Sequence, residues 1–240
     1  MIFGAATDTG KIREKNEDNF RVDIDLSLFI VADGIGGHLA GEVASYIAVE
    51  TIQDYLSTHI PDNHLPPEDI LRNSMNAAHD AILTSGGGFA SNSRMGTTAV
   101  VAWIPPPADT AWVAHVGDSR AYLMRGDKLR LLTDDHTLYL EALREGALPK
   151  NPKLWPPRQA LSQALGASDV IKPDVSGVPL MTGDQLLLCT DGLTDMIPED
   201  GIGIYLQIGK TPQETCETLI QIANANGGED NVTAILIAFD

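Results

Sequence analysis

Basic residues are scarce in this chain of 240 residues: 16 Lys and Arg stand against 33 Asp and Glu, a formal net charge of −17. A field of that sign repels phosphate backbones and anionic lipid headgroups, so nucleic acid and membrane surfaces are poor partners. Cysteine is nearly absent. Cys189 lies in an apolar run and Cys216 in a helical pattern, and no spacing suggests a disulfide framework or a zinc site, which fits a reducing, cytoplasmic setting. No segment approaches the roughly 18 uninterrupted apolar residues of a membrane span, and Met1 to Gly10 has neither the basic start nor the apolar stretch of a signal peptide. Repeats, heptads, low-complexity tracts and composition breaks are missing too, so a single domain over residues 1–240 is expected, acting as a monomer.

What the chain does have is enough apolar residue, 43% of the total, to bury a core without disulfides or structural metal. Short β runs are predicted at Ile2–Thr7, Phe20–Ile24, Leu28–Ala32, Thr97–Ile104, Thr110–Val116, Ser119–Met124, Lys128–Leu132, Gln185–Thr190 and Val232–Phe239. Helical spacing covers Leu39–Thr58 and a second stretch that opens at Pro67-Glu68 and stops at Gly86-Gly87-Gly88. The loop from there through Met95 is small, polar and expected to be mobile. Pro198 suits the start of a short helix, and Thr211-Pro212-Gln213-Glu214 reads as a capping box. Strands in hairpin order with helices in pairs imply an α+β architecture of antiparallel sheets covered by helix pairs, because each pair can cover one sheet face.

The acids are not spread evenly. In Leu28 to His38 a strand-forming run breaks at Asp33 into a glycine turn, so one carboxylate is presented at a strand end. Asp118 after Val116-Gly117, Asp191 before Gly192 and Asp230 before Asn231 have similar settings. A single Asp beside Gly is usually a turn residue, and a general acid excess usually serves solvation. Four such acids at strand ends can instead point out of one end of a sandwich, where a divalent cation offsets their mutual repulsion. Oxygen-only ligand sets suit Mg2+ and Mn2+.

Arg13 with Asn16-Glu17-Asp18, Val31 to His38, Gly96-Thr97-Thr98, His115 to Arg120, Asp135-His136-Thr137, Leu161 to Gly166, Cys189 to Gly192 and Asp230 to Thr233 resemble, in order, the motifs of the metal-dependent type 2C serine/threonine protein phosphatases, in their compact bacterial form. The resemblance implies a four-layer αββα sandwich of two central, mainly antiparallel sheets, with residues 137–162 as a flap insertion. It implies two Mg2+ or Mn2+ ions per active site, bridged by Asp33. The Gly34 carbonyl would bind one ion, Asp191 and Asp230 the other, and Glu17 and Asp18 would act directly or through water. Asp118 with Asp191 would hold a third, weaker ion, and Arg13 would bind the substrate phosphate. The substrates would be phosphoproteins carrying phosphoserine or phosphothreonine.

That chemistry needs no serine or cysteine nucleophile, because two cations about 4 Å apart activate a shared water and neutralise the phosphoryl oxygens. Arg13 supplies a planar fork of donors that matches two phosphate oxygens; a surface ion pair with Glu14 or Glu17 is its alternative use. Ile35 stands where some relatives carry a histidine, so the leaving-group acid stays open between His38 and His136, either of which can titrate near neutrality. Trp155 reads as a buried anchor for the flap or as a substrate contact. A silent phosphoprotein-binding module would lack one or more metal carboxylates, yet all are present. A nuclease would show basic or aromatic stripes, which are missing.

Overall fold

The computed structural model describes residues 1–36, 40–60, 65–86 and 95–239. Strands β1 (Ile2–Asp8), β2 (Asn19–Asp23), β3 (Leu28–Ala32) and the two-residue β4 (Gly34–Ile35) precede helices α1 (Ala40–His59) and α2 (Pro67–Ser85). Strands β5 (Gly96–Thr97), β6 (Ala99–Trp103), β7 (Thr110–Val116), β8 (Arg120–Arg125) and β9 (Lys128–Leu131) follow, the chain crossing from one sheet to the other between β7 and β8. Then come α3 (Leu138–Arg144), β10 (Asp174–Pro179), β11 (Gln185–Cys189), α4 (Asp191–Thr194), α5 (Glu199–Ile208), α6 (Pro212–Ala225) and β12 (Val232–Ala238). The glycine-rich stretch expected to be mobile lies, over residues 87–94, outside the described residues.

Two five-stranded sheets carry the structure, in the orders β1-β12-β11-β8-β9 and β10-β7-β6-β3-β2, every pairing antiparallel. Because successive side chains of a strand point to opposite faces, each central strand serves two layers. Leu28, Ile30 and Ala32 of β3 pack with α1 and α2, while Phe29 and Val31 face the other sheet. Leu186 and Leu188 of β11 meet them from across the sandwich, and Leu187 and Cys189 turn outward under α5 and α6. Three apolar layers therefore separate four structural ones, α1/α2, sheet, sheet, α5/α6, which is the expected α+β sandwich.

Local signals set the helix starts. Pro67 occupies the first turn of α2 with Glu68 and Asp69 beside it, where a missing N–H costs nothing and acidic groups meet the positive end of the dipole. Thr211 Oγ1 accepts from the Glu214 N–H at 3.2 Å and opens α6. Two expectations change. The strand predicted over Thr97–Ile104 is interrupted at Thr98, and β10 has no counterpart in the sequence reading. Pro173, Gly177 and Pro179 hide β10, but among the described residues it is an edge strand paired with β7 alone, a place where proline is tolerated.

Residues 137–162 hold α3 and a 3-10 turn at Pro152–Leu154. The two ends of the segment are zipped together by Leu138 N–H to Ala160 O (2.8 Å) and Ser162 N–H to His136 O (2.9 Å). Trp155 is not a buried anchor. It is 37% exposed, donates Nε1–H to Pro149 O at 2.8 Å and packs on Tyr139, so it braces the segment against itself. Among the described residues no helix is long and apolar enough to cross a membrane.

Candidate active site

The strand ends that carry Asp33, Asp118, Asp191 and Asp230 meet at one end of the sandwich. Asp33 follows β3 and is clamped by its backbone: its N–H donates to Thr98 Oγ1 (3.0 Å), and its carbonyl accepts from Thr98 N–H (2.9 Å) and Thr97 Oγ1 (2.7 Å). The break at Thr98 thus has a purpose, since the chain there serves Asp33 instead of continuing the ladder. Thr98 Oγ1 also bonds Ser119 Oγ (2.7 Å), which joins Asp33 to the β7–β8 turn of Asp118. Gly117 adopts φ +103° there, and a Cβ on it would lie 2.6 Å from Thr98 Cγ2.

Asp191 begins α4 after β11, and Asp230 stands just before β12. They are brought together because Gly192 lets the backbone approach Asn231, whose carbonyl oxygen would be 2.0 Å from a Cβ. Asn231 then fixes the N-terminal loop: Nδ2 donates to Thr9 O and Lys15 O, and Oδ1 accepts from Glu17 N–H. Asp18 is 7% exposed, with Oδ2 accepting from Thr233 Oγ1 (2.7 Å) and Thr190 Oγ1 (3.0 Å). Glu17 Oε2 lies over Gly41 in the first turn of α1. The Gly34 N–H donates to Glu17 O (3.2 Å), an approach that a side chain at Gly34 would block.

The result is a cavity of about 800 Å³ lined by Arg13, Glu17, Asp33, Gly34, Asp118, Asp191 and Asp230, with residues 161–164 and 167–170 forming one wall. Burial is the first cause of the electrostatics and the neighbouring acids the second. Asp33 is pushed well above the usual carboxylate range by burial and then by Asp18 and Asp191, with which it also shares a hydrogen bond. Asp18 and Asp118 are each pushed up to about 7, and Asp191 to about 6. Glu17 is raised by burial and by Glu42 and Asp230, against the lowering effect of Arg13.

Hard divalent cations fit this donor set. Asp18 Oδ1 and Asp191 Oδ1 are buried with no hydrogen-bond partner among the described residues, and the candidate ligands Glu17, Asp18, Asp33, Asp118, Asp191 and Asp230 offer oxygen alone. Several buried anions held together without a cation would each cost several kcal/mol. Arg13 lines the cavity and pairs with Asp230 at 2.6 Å, not with Glu14.

Not every residue singled out in the sequence reaches the cavity. His38 lies outside the described residues. His136 is 4% exposed and absent from the lining, with both ring nitrogens engaged by Gly117 and Asp174. No histidine lines the cavity among the described residues. Sequence reasoning gave no roles to Thr98, Thr190, Asn231 and Thr233. Their signal was there, hydroxyl and amide side chains in or beside otherwise apolar strands, each buried. The wall at 167–170 had no such signal.

Comparison with known proteins follows the same lines. A family described as protein phosphatase 2C matches residues 13–236. The serine/threonine phosphatase stp of Listeria monocytogenes is 39% identical over 239 residues, covering 98% of this chain and 94% of its own. The serine/threonine phosphatase of S. agalactiae superposes with a TM-score of 0.86 at 32% identity, over 100% of this chain and 99% of that one. The catalytic domain of the serine/threonine protein phosphatase PstP, crystallised with two manganese ions, superposes with a TM-score of 0.80 at 30% identity, over 98% and 96%.

Proposed function

The chain belongs to the protein phosphatase 2C family, and from that premise we propose that it hydrolyses phosphoserine and phosphothreonine in proteins by a metal-dependent mechanism. The observation that carries the reading is the convergence of Glu17, Asp33, Asp118, Asp191 and Asp230 on one cavity, with Asp18 buried beside them and Arg13 the only cation among the lining residues described. In this assignment Asp33 and the Gly34 carbonyl would hold one ion and Asp33, Asp191 and Asp230 a second, Glu17 and Asp18 would act directly or through water, and Asp118 with Asp191 would hold a third, weaker one.

Mg2+ or Mn2+ bound there supplies an activated water and neutralises the phosphoryl oxygens. The protein's part is placement. Thr97, Thr98 and Ser119 hold Asp33 and Asp118 in register, while Thr190 and Thr233 aim Asp18. Supporting bonds of this kind orient ligands and tune their basicity. Arg13, on a loop that ends in the Glu17 and Asp18 cluster, offers its planar fork to the phosphate and fixes the ester for in-line attack. Residues 159, 161–164 and 167–170 wall one side of the site, and the flap at 137–162 would govern substrate access and product release. Ile35 is 38% exposed at the rim and brings no proton; of the two histidines considered as leaving-group acids, His136 is absent from the lining and His38 lies outside the described residues.

Mn2+-dependent phosphate release from p-nitrophenyl phosphate and from a phosphothreonine peptide tests the reading, with Asp33→Ala and Asp191→Ala as controls. Activity that needs Mn2+ or Mg2+ and is lost in both variants is the expected result. A wild-type chain inactive with both ions, or an Asp33→Ala chain with full activity, ends it.

A further inference from the structure

His136 occupies a junction that the chemistry above leaves unused. Its backbone N–H donates to Gly117 O (3.0 Å), and its Nδ1 accepts from Gly117 N–H (3.2 Å), so one residue holds both polar groups of the glycine that precedes Asp118. Its own carbonyl accepts from Ser162 N–H (2.9 Å), where the flap returns to the sandwich, and α3 begins two residues later. The floor acid Asp118 and the wall residues Leu161 and Ser162 are therefore fastened to the same point.

The ring itself is held from three sides. It stacks on His115, centroids 4.7 Å apart, and Nε2 faces Asp174 Oδ2 at 3.3 Å across the edge strand β10. Because Nδ1 receives the Gly117 N–H, the proton sits on Nε2 and is donated to Asp174. His115, His136 and Asp174 have the composition of a cation site, but this tautomer leaves His136 no lone pair at Nε2 to give. A proton donor for the leaving group is equally unsuited, since the ring is buried and outside the cavity lining.

We propose that His136 is a positioning residue, whose imidazole sets the Gly117-Asp118 turn and ties it to the base of the flap, so that the weak cation site at Asp118 depends on the Nδ1 acceptor of residue 136. The proposal rests on the metal-dependent reading above. On its other side the turn is held by Ser119 Oγ, bonded to Thr98 Oγ1 at 2.7 Å, and by the close approach of Gly117 to Thr98, so His136 is the fastening that also reaches the flap.

The test separates the two ring nitrogens. The Asn side chain places its carbonyl near the Nδ1 position, whereas Gln reaches the Nε2 position and leaves the Gly117 N–H without an acceptor. Calorimetric Mn2+ titration of wild type, His136→Asn and His136→Gln, with melting in chelator to compare the folds, reads the difference. We expect the weaker Mn2+ step of His136→Gln to lose about tenfold or more in affinity, the range for a supporting residue of a metal ligand, and its tighter step to stay. His136→Asn should hold the weaker step close to wild type, and kcat for phosphate release should follow the same ranking with KM little changed.

Long-range 1H–15N spectra of the wild-type chain give a check that needs no variant: the proton should be on Nε2 of His136. Equal isotherms for His136→Gln and wild type, equal losses in Asn and Gln, or a proton on Nδ1 overturn the proposal and leave the phosphatase reading intact. A wild-type chain that binds no Mn2+ removes both.

Discussion

Asp135 and Asp184 each face an arginine, whereas Asp18, Asp33, Asp118 and Asp191 face one another. Arg120 grips Asp135 with Nε and Nη2 at 2.9 and 2.6 Å, and Arg125 grips Asp184 at 2.8 and 2.6 Å. At the cavity Arg13 meets Asp230 alone, Asp18 receives two hydroxyls, and Asp18 Oδ1 and Asp191 Oδ1 have no partner among the described residues. A buried acid that serves the fold is thus neutralised by the chain itself. The acids around Asp33 are left for a cation, and their raised affinity for protons is the measure of that.

The sharpest break of this contrast is Asp33→Asn. Activity should fall by about a hundredfold to a thousandfold, the scale for losing a principal electrostatic group of a transition state, while the metal-free protein should melt higher, because one of the crowded acids is gone. Phosphate release and melting in chelator check both halves. Arg120→Met should do the reverse to the fold, leaving Asp135 buried and unpaired at a cost of about 3 kcal/mol in denaturant unfolding.

Thr233→Val comes next in size. It removes the 2.7 Å donor to Asp18, so Mn2+ affinity by titration should weaken by about tenfold with little change in metal-free stability. The smallest effect is in pH. Acids whose folded pKa is raised above the unfolded value near 3.8 stabilise the fold at low pH and lose that contribution as pH rises through their folded values, here about 6 to 7. Asp184, lowered by Arg125, runs the other way and loses its contribution only on acidification. In chelator the melting midpoint should therefore fall between about pH 4 and 7, and Mn2+ should abolish that fall.

Much of this was legible in the sequence. Asp33, Asp118, Asp191 and Asp230 declare themselves because an acid at the end of an apolar strand beside a turn residue is a local pattern, and the unbroken apolar runs of β3 and β11 mark two-sided burial. What was not legible depends on pairs far apart in the chain. Nothing near Asp18 announces Thr190 and Thr233, nothing near Arg120 says that Asp135 is its partner, and the histidine of Asp135-His136-Thr137 reads as a titratable group until Gly117 is seen at its Nδ1. β10 was hidden by its prolines, and Trp155 by the habit of tryptophan to be buried.

The central claim is that the unpaired acids around Asp33 form a cation site, and calorimetric titration of Mn2+ into the metal-free chain tests it most directly. The account predicts uptake of at least two ions per chain, the number found in the related PstP crystal, with protons released from the raised carboxylates and with that uptake lost in Asp33→Asn. No uptake by wild type, or an Asp33→Asn isotherm that superposes on it, would contradict the account.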